Sequence, residues 1–298
     1  MAFIWTEQTS AGSRNWNTIT CSSNGQKLAA IPTASYIYTS ANGGTSWSQR
    51  GYSTSSKGIS YSADGLRLIY NEGGTFYYST SDGSSWSNGG TANDVVHIVS
   101  SSDGSKLVAH SSFIYYSTNS GVTWNSSNAS FLSYSSITIS SDGTKAAACV
   151  NGGYIFTSTD SGASWTQQTN SGSKSWTGIA SSSDGTKLVA CVNGGYIFVS
   201  TDSGANWTQK TNSGSKNWGG IASSSDGSKL AAYVSSGYIY TSSDSGGNWT
   251  EQTSLGSKAW SSITSSSDGN KIATCVYGGY IYIGAVPSAI SPFFAFFN

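Results

Sequence analysis

The sequence predicts an all-β chain, a seven-bladed β-propeller of four-stranded antiparallel blades whose ring is closed by the N-terminal strand. Two observations carry that prediction. An Asp-Gly or Asn-Gly pair recurs at Asn24, Asp64, Asp103, Asp142, Asp184, Asp226 and Asp268, at spacings of 40, 39, 39, 42, 42 and 42 residues. A period near forty, built of short strands and tight turns, is the signature of a radial repeat. The last copy, residues 260 to 283, holds only three strand segments, and the missing outer one, Trp5-Thr6-Glu7-Gln8-Thr9, stands at the other end of the chain. Pairing the two ends within one blade leaves no long strand edge exposed. An open solenoid would need atypical capping repeats, and none is visible. Residues 1–284 are therefore expected to form the ring and residues 285–298 an apolar C-terminal tail.

The fifth blade shows the order of elements most clearly. Residues from Trp176 to Ser181 alternate as an inner strand should, and Asp184-Gly185 turns the chain. Asp-Gly is a strong hairpin signal because both central positions accept positive φ. The apolar run from Lys187 to Val192 reads as a buried second strand, Asn193-Gly194-Gly195 turns again, and Tyr196 to Val199 is the third strand. An eight-residue turn, Ser200 to Trp207, then leads into the outer strand, Trp207-Thr208-Gln209-Lys210-Thr211.

That eight-residue turn has the form S-x-D-x-G-x-x-W and resembles the Asp-box, the BNR repeat of sialidases, sortilin-type receptors and many other propellers. It recurs from Ser158 to Trp165 and from Ser242 or Ser243 to Trp249, with Asp160 and Asp244 in the acidic place. Ser117 to Trp124 and Ser40 to Trp47 carry Asn119 and Asn42 instead, and in Ser79 to Trp86 the acid, Asp82, is shifted by one. Six copies at blade period extend the resemblance over nearly the whole chain. What it implies is architecture: Asp accepts backbone N–H bonds in the turn, Gly takes positive φ, and Trp packs between neighbouring sheets. In those families the box itself is not the active site.

Composition narrows the partners. Charged residues make up 9% of the chain, against ~25% in typical domains, the net charge is zero and aromatics reach 13%. So many aromatics distinguish the chain from a disordered one. Its surface must be covered by Ser, Thr, Asn and Gly, which offers little electrostatic resistance to self-association. No basic cluster is present to neutralise phosphates, so nucleic acid is not an expected partner. No apolar run approaches ~18 residues, so no membrane span is expected. No classical signal peptide is visible at residues 1–5; an extracellular or surface-associated setting is nonetheless the expectation for such a chain. Cys149, Cys191 and Cys275 each lie seven residues after their turn Asp. Equivalent slots in neighbouring blades fall outside disulfide reach, so free buried thiols are expected, with Cys21 in a different strand.

A sialidase is the catalytic activity that the resemblance brings into view. It implies three arginines gripping a carboxylate, a Tyr/Glu nucleophile pair and an acidic proton donor. Of the 14 acidic residues, six lie at Asp-Gly turns and four in the boxes, leaving Asp94, Glu7, Glu72 and Glu251. The basic residues divide in the same way, seven of them three residues after the turn and four, Arg14, Lys174, Lys216 and Lys258, ahead of the inner strand. The three arginines, Arg14, Arg50 and Arg67, occupy unlike positions, and the Phe/Tyr-Arg-Ile-Pro segment of a sialidase is absent. His97 and His110, thirteen apart on different strands, read as solvated or packed rather than as a metal pair or a base with its orienter. No catalytic residue, cofactor or metal is therefore expected, and a divergent sialidase-type glycosidase is the remaining catalytic alternative.

Four linkers are near-copies, running from Trp5 to Trp16, Trp165 to Trp176, Trp207 to Trp218 and Trp249 to Trp260, and they form one continuous arc because blade 7 abuts blade 1. Trp16, Trp176, Trp218 and Trp260, with Arg14, Lys174, Lys216 and Lys258, are the candidate ligand-binding rim. Partly exposed indoles there would stack on sugar rings, as in propeller lectins. The competing and preferred reading makes these indoles inner-strand packing and their likeness a product of duplication. The tail, residues 285–298, holds two of three prolines and four of ten phenylalanines. Its candidate self-assembly residues are Ile290, Phe293, Phe294, Phe296 and Phe297, since burying each Phe is worth roughly 1.5–3 kcal/mol. The expected function is a non-enzymatic structural propeller that self-associates through this tail, as a homo-oligomer or filament. A lectin-like, glycan-binding ring is the alternative.

Overall fold

A computed structural model describes residues 3–53, 58–92 and 95–287. Among them, 28 strands fall into seven antiparallel groups of four. Blade 1 is Arg14–Cys21, Leu28–Pro32, Ser35–Ser40 and Ser48–Ser53, from the axis outwards, and blades 2 to 6 repeat that order. Blade 7 is composite: Trp260–Ser265, Lys271–Gly279 and Ile281–Ala285 are completed by Ile4–Gln8. The N-terminal strand pairs in register from Ile4 opposite Ala285 to Gln8 opposite Ile281, so the ring closes as the sequence predicts.

The apolar runs become second strands because both of their faces lie between neighbouring blades; Leu28–Pro32 is buried at every position. The core is accordingly a series of clusters, each shared by two blades. Val189, Cys191 and Ile197 of blade 5 pack with Trp218, Ile221 and Leu230 of blade 6. The four cysteines are free thiols, and Cys149, Cys191 and Cys275 are buried.

The turns between inner and second strands line one face of the ring, the turn face. In blade 5 the Ser182 hydroxyl and the Thr186 N–H donate to Asp184 Oδ1 (2.5 and 3.0 Å), and the Lys187 N–H donates to Ser182 Oγ (3.0 Å). Only Gly185 takes positive φ, +65°. This corrects the expectation that both central positions would: Asp184, tied down through its carboxylate, keeps an ordinary φ, and the Gly185 N–H closes the turn on Ser182 O (3.0 Å). Successive turns are joined by backbone bonds that run once round the ring. Ser23 donates to Ala63 O, Asp64 to Ser102 O, Ser102 to Ser141 O, Ser141 to Ser183 O, Ser183 to Ser225 O, Ser225 to Ser267 O, and Ser267 back to Ser23 O. The repeat lysines reinforce this circuit, as when Lys187 Nζ donates to Asp226 O and Lys229 Nζ to Asp268 O (both 2.8 Å).

The opposite face carries the linkers and the turns between second and third strands, and it is not uniform. In blades 4, 5 and 7 the second strand runs on through a Gly-Gly pair and bonds to the next blade's inner strand, with Gly153 opposite Lys174, Gly195 opposite Lys216 and Gly279 opposite Arg14. Between blades 6 and 7 a single bridge, Gly237 to Lys258, remains. Among the described residues no strand pairing crosses the other three junctions on this face.

Candidate functional site

The outer turns are hydrogen-bonded staples. In blade 4 the Ser164 N–H donates to Asp160 Oδ1 (2.8 Å), the Gly162 N–H to Ser158 Oγ (3.0 Å) and the Trp165 indole to Gly162 O (2.8 Å). Asn42 and Asn119 serve as well as Asp, each amide oxygen accepting the equivalent N–H at 2.9 Å. In blade 2 Ser81 takes the acceptor role, and the shifted acid Asp82 instead accepts from Tyr61 Oη (2.5 Å) and faces Lys27 (3.8 Å). The inner-turn carboxylates are held in the same way. The Ser105 N–H and then the Ser101 hydroxyl pull Asp103 down to about 2, and the Ser140 hydroxyl, followed by Thr144, does so for Asp142. A carboxylate tied to three donors is a poor proton carrier and a good staple.

The four predicted indoles lie elsewhere than on a rim. Trp16, Trp176 and Trp218 are 0% exposed and Trp260 is 5%, so the expectation of partly exposed stacking platforms is corrected. Each ring slots edge-on against a third-strand aromatic: Tyr38, Phe198, Tyr240 or Tyr282. The same aromatic is covered by Arg14, Lys174, Lys216 or Lys258, 4.6–5.2 Å from its ring centre. Cation, aromatic and indole thus form one packed stack per junction. The linkers that lead into them make a short helical turn, as at Thr169–Ser171, ended by a glycine with φ near +70°. On the outer strands Glu7 and Glu251 accept from Tyr282 and Tyr240 of the third strands. The three arginines do not converge: Arg14 covers Tyr38, Arg50 donates to Thr39 Oγ1 (2.9 Å), and Arg67 packs beside Gly104 on the turn face. Ile290, Phe293, Phe294, Phe296 and Phe297 lie outside the described residues.

Two features were not anticipated from the sequence. Among the described residues the large exposed aromatics, Tyr36, Phe113, Phe131 and Tyr277, all lie at linkers or second-turn positions on the linker face. Phe113 and Phe131 are 44% and 68% exposed, and their rings meet at 5.1 Å and 64° across the junction of blades 3 and 4. That junction lacks strand pairing on this face and keeps one backbone bond, Leu132 N–H to Ser112 O (3.1 Å).

The second feature is the axial channel, a cavity of about 510 Å³ lined by all seven inner strands. Its walls are mainly Ser, Thr, Gly, Ala, Val and Ile, with Asn17, Tyr233 and two histidines, and among the described residues no Asp, Glu, Lys or Arg lines it. His97 and His110 both line it, directly opposite each other in the register of blade 3, with ring centres 5.8 Å apart and planes at 84°. Burial lowers His97 to about 4; burial and then the neighbouring His97 lower His110 to about 3. His110 is 1% exposed, whereas His97 is partly exposed. The sequence offered a signal for this pairing, since the two residues sit six before and seven after Asp103, offsets that face each other in six of the seven blades.

Solved structures share this architecture. A structure of YCF48 bound to a D1 peptide matches with a TM-score of 0.74 at 14% identity, covering 96% of this chain and 97% of that one. YCF48 from Cyanidioschyzon merolae gives 0.72 at 16% identity, covering 94% and 98%. The β-propeller domain of Myceliophteria thermophila Cps50 (Swd1) gives 0.73 at 13%, covering 95% and 100%. The fold is a β-propeller. No family model and no curated protein matches the sequence, and likeness at these identities extends to the fold alone.

Proposed function

We propose that this propeller is a non-enzymatic interaction scaffold that associates with further copies of itself, residues 285–298 of one ring docking on the linker face of the next. The observation that carries the reading is the Phe113–Phe131 pair. Exposed aromatics clustered at one site mark an interface far more often than scattered apolar residues do, and this pair stands where the ring's own pairing lapses. The course of the chain supports a head-to-tail contact. The third strand of blade 7 delivers it to Val286, whose N–H bonds to Asn270 O (2.9 Å) on the turn face, opposite the aromatic pair. A donor on one face and an acceptor on the other make a heterologous contact, which yields a closed ring of rings or an open filament according to its rotation. The staple-like bonding of the outer turns is also what the Asp-box resemblance implies, and in this reading those turns are architecture.

Sedimentation velocity on three proteins tests the proposal: the full chain, a truncation after Pro287, and F113S/F131S. The full chain is expected to form concentration-dependent oligomers and both variants to sediment as folded monomers. An unchanged distribution after truncation removes the tail as donor, and an unchanged distribution in F113S/F131S removes the linker face as acceptor.

A further inference from the structure

We propose that His97 and His110 form a two-coordinate site for a soft monovalent metal ion, Cu(I), in the wall of the axial channel. Four observations lead there. The chain has only two histidines, and the register sets them directly opposite each other on adjacent strands. The other blades fill the first slot with Thr18, Gly58, Ser136, Gly178, Gly220 and Ser262, and the second with residues that include Ile31, Cys191 and Tyr233, so the pair is a local departure rather than a feature of the repeat.

The second observation is an orphaned atom. His110 Nδ1 lies 3.4 Å from Ser111 O, the contact of an N–H donating to a carbonyl, which leaves Nε2 with its lone pair. That nitrogen is buried without a hydrogen-bond partner among the described residues. An unmet buried acceptor costs about 1–3 kcal/mol, and in the other blades the same slot is satisfied. Tyr233 donates to Ser261 O (3.1 Å), and Cys191 meets the Thr177 hydroxyl (3.4 Å).

The third is spacing. Metal–imidazole bonds of about 2.0 Å set the ring centres of two histidines on one ion between about 5 Å, at a tetrahedral angle, and about 6.3 Å, with the two nitrogens in line; here they are 5.8 Å apart, within that span and short of the in-line limit that a two-coordinate ion prefers.

The fourth is charge and donor count, which select the ion. Among the described residues no carboxylate lines the channel to offset a divalent charge, and no three His, Cys, Asp or Glu side chains converge. A tetrahedral Zn(II) site needs more ligands than this. A monovalent ion content with two neutral nitrogen donors suits what is present, and the open channel supplies an entry path.

Anaerobic titration of the full chain with Cu(I) buffered by bicinchoninate tests the site, read through imidazole proton–nitrogen correlations that only these two residues contribute. The expected result is one bound equivalent that moves the His97 and His110 signals together, and its loss in both H97G and H110I. The ring already accommodates Gly58, Gly178 and Gly220 at the first slot and Ile31 at the second, so both variants are expected to fold, which their circular dichroism melts verify. Imidazole signals that stay fixed while Cu(I) is taken up elsewhere, as at a thiol, overturn the proposal. So does an H97G protein that still binds the equivalent with the His110 signal shifted.

Discussion

On the turn face all seven junctions are joined alike, by a backbone bond from each turn to the next. On the linker face, among the described residues, four junctions are bridged and three are not. The difference lies in what each face demands of the side chains. The turn circuit uses main-chain groups, so any blade with the Ser-x-Asp/Asn-Gly turn can join it, and blades as unlike as 2 and 5 do. The linker-face pairing needs a second strand long enough to overrun its own blade. Ala146–Gly153, Leu188–Gly195 and Lys271–Gly279 are that long, with 8, 8 and 9 residues, whereas Leu28–Pro32, Leu68–Glu72 and Leu107–His110 stop after 5, 5 and 4. Blade 1 ends its strand in Pro32, which has no N–H to give. Where the bridging stops, the two unusual features begin: the Phe113–Phe131 pair and the His97–His110 pair both belong to the unbridged arc. A repeat array keeps its units alike where closure depends on every one of them, and has latitude for function where it does not.

Four measurements break or sharpen that contrast. The largest effect is expected from Trp218→Ala, which empties a fully buried indole site in the bridged arc and should cost about 3–5 kcal/mol in chemical denaturation. Val95→Ala, at the same slot of blade 3, removes two carbons and should cost roughly 1.5 kcal/mol. Equal losses would mean that the arcs are equally packed. Next, Ser158→Ala strips the buried Gly162 N–H of its acceptor and should cost about 1–3 kcal/mol; Ser117→Ala in blade 3 should cost the same, because the outer turns are uniform across both arcs.

Acid separates the arcs by a different route. The folded-state pKa of His110 is depressed, so the unfolded chain takes up the proton first. Its contribution to stability is complete above about pH 6.5 and is lost as pH falls from there towards about 3, at up to about 1.4 kcal/mol per pH unit. The H110I protein should show a flatter pH profile between 6.5 and 4, and hydrogen exchange in the full chain at pH 5 should rise first at the junction of blades 3 and 4. Exchange that rises evenly round the ring would refute this. The depressed carboxylates of Asp103 and Asp142 act lower. Their contribution is present above about pH 4 and is lost as pH falls towards about 2. The smallest effect belongs to Lys187→Met, which removes one exposed bond of the circuit and should cost about 0.5 kcal/mol. A loss of several kcal/mol would show that the lysines, and not the backbone, carry the turn face.

The sequence by itself determined the blade count, the strand order within a blade and the closure by Trp5 and its neighbours. Each of these is written in local signals, a turn residue or an alternation, repeated often enough to be read. It also determined that the carboxylates are turn staples, because their spacing matches the turns. Only the tertiary structure decided which side of each strand faces a neighbour. Trp16 and Trp176 carry the composition of a binding rim, yet the sheet twist lays each against a third-strand aromatic and covers it with a cation. Phe113 and Phe131, 18 residues apart in sequence, meet only because the linker after blade 3 passes its second turn. His97 and His110 become a pair through strand register. Local chemistry fixes the turns and strands, but contact across a junction depends on the packing of two sheets, which no single segment specifies.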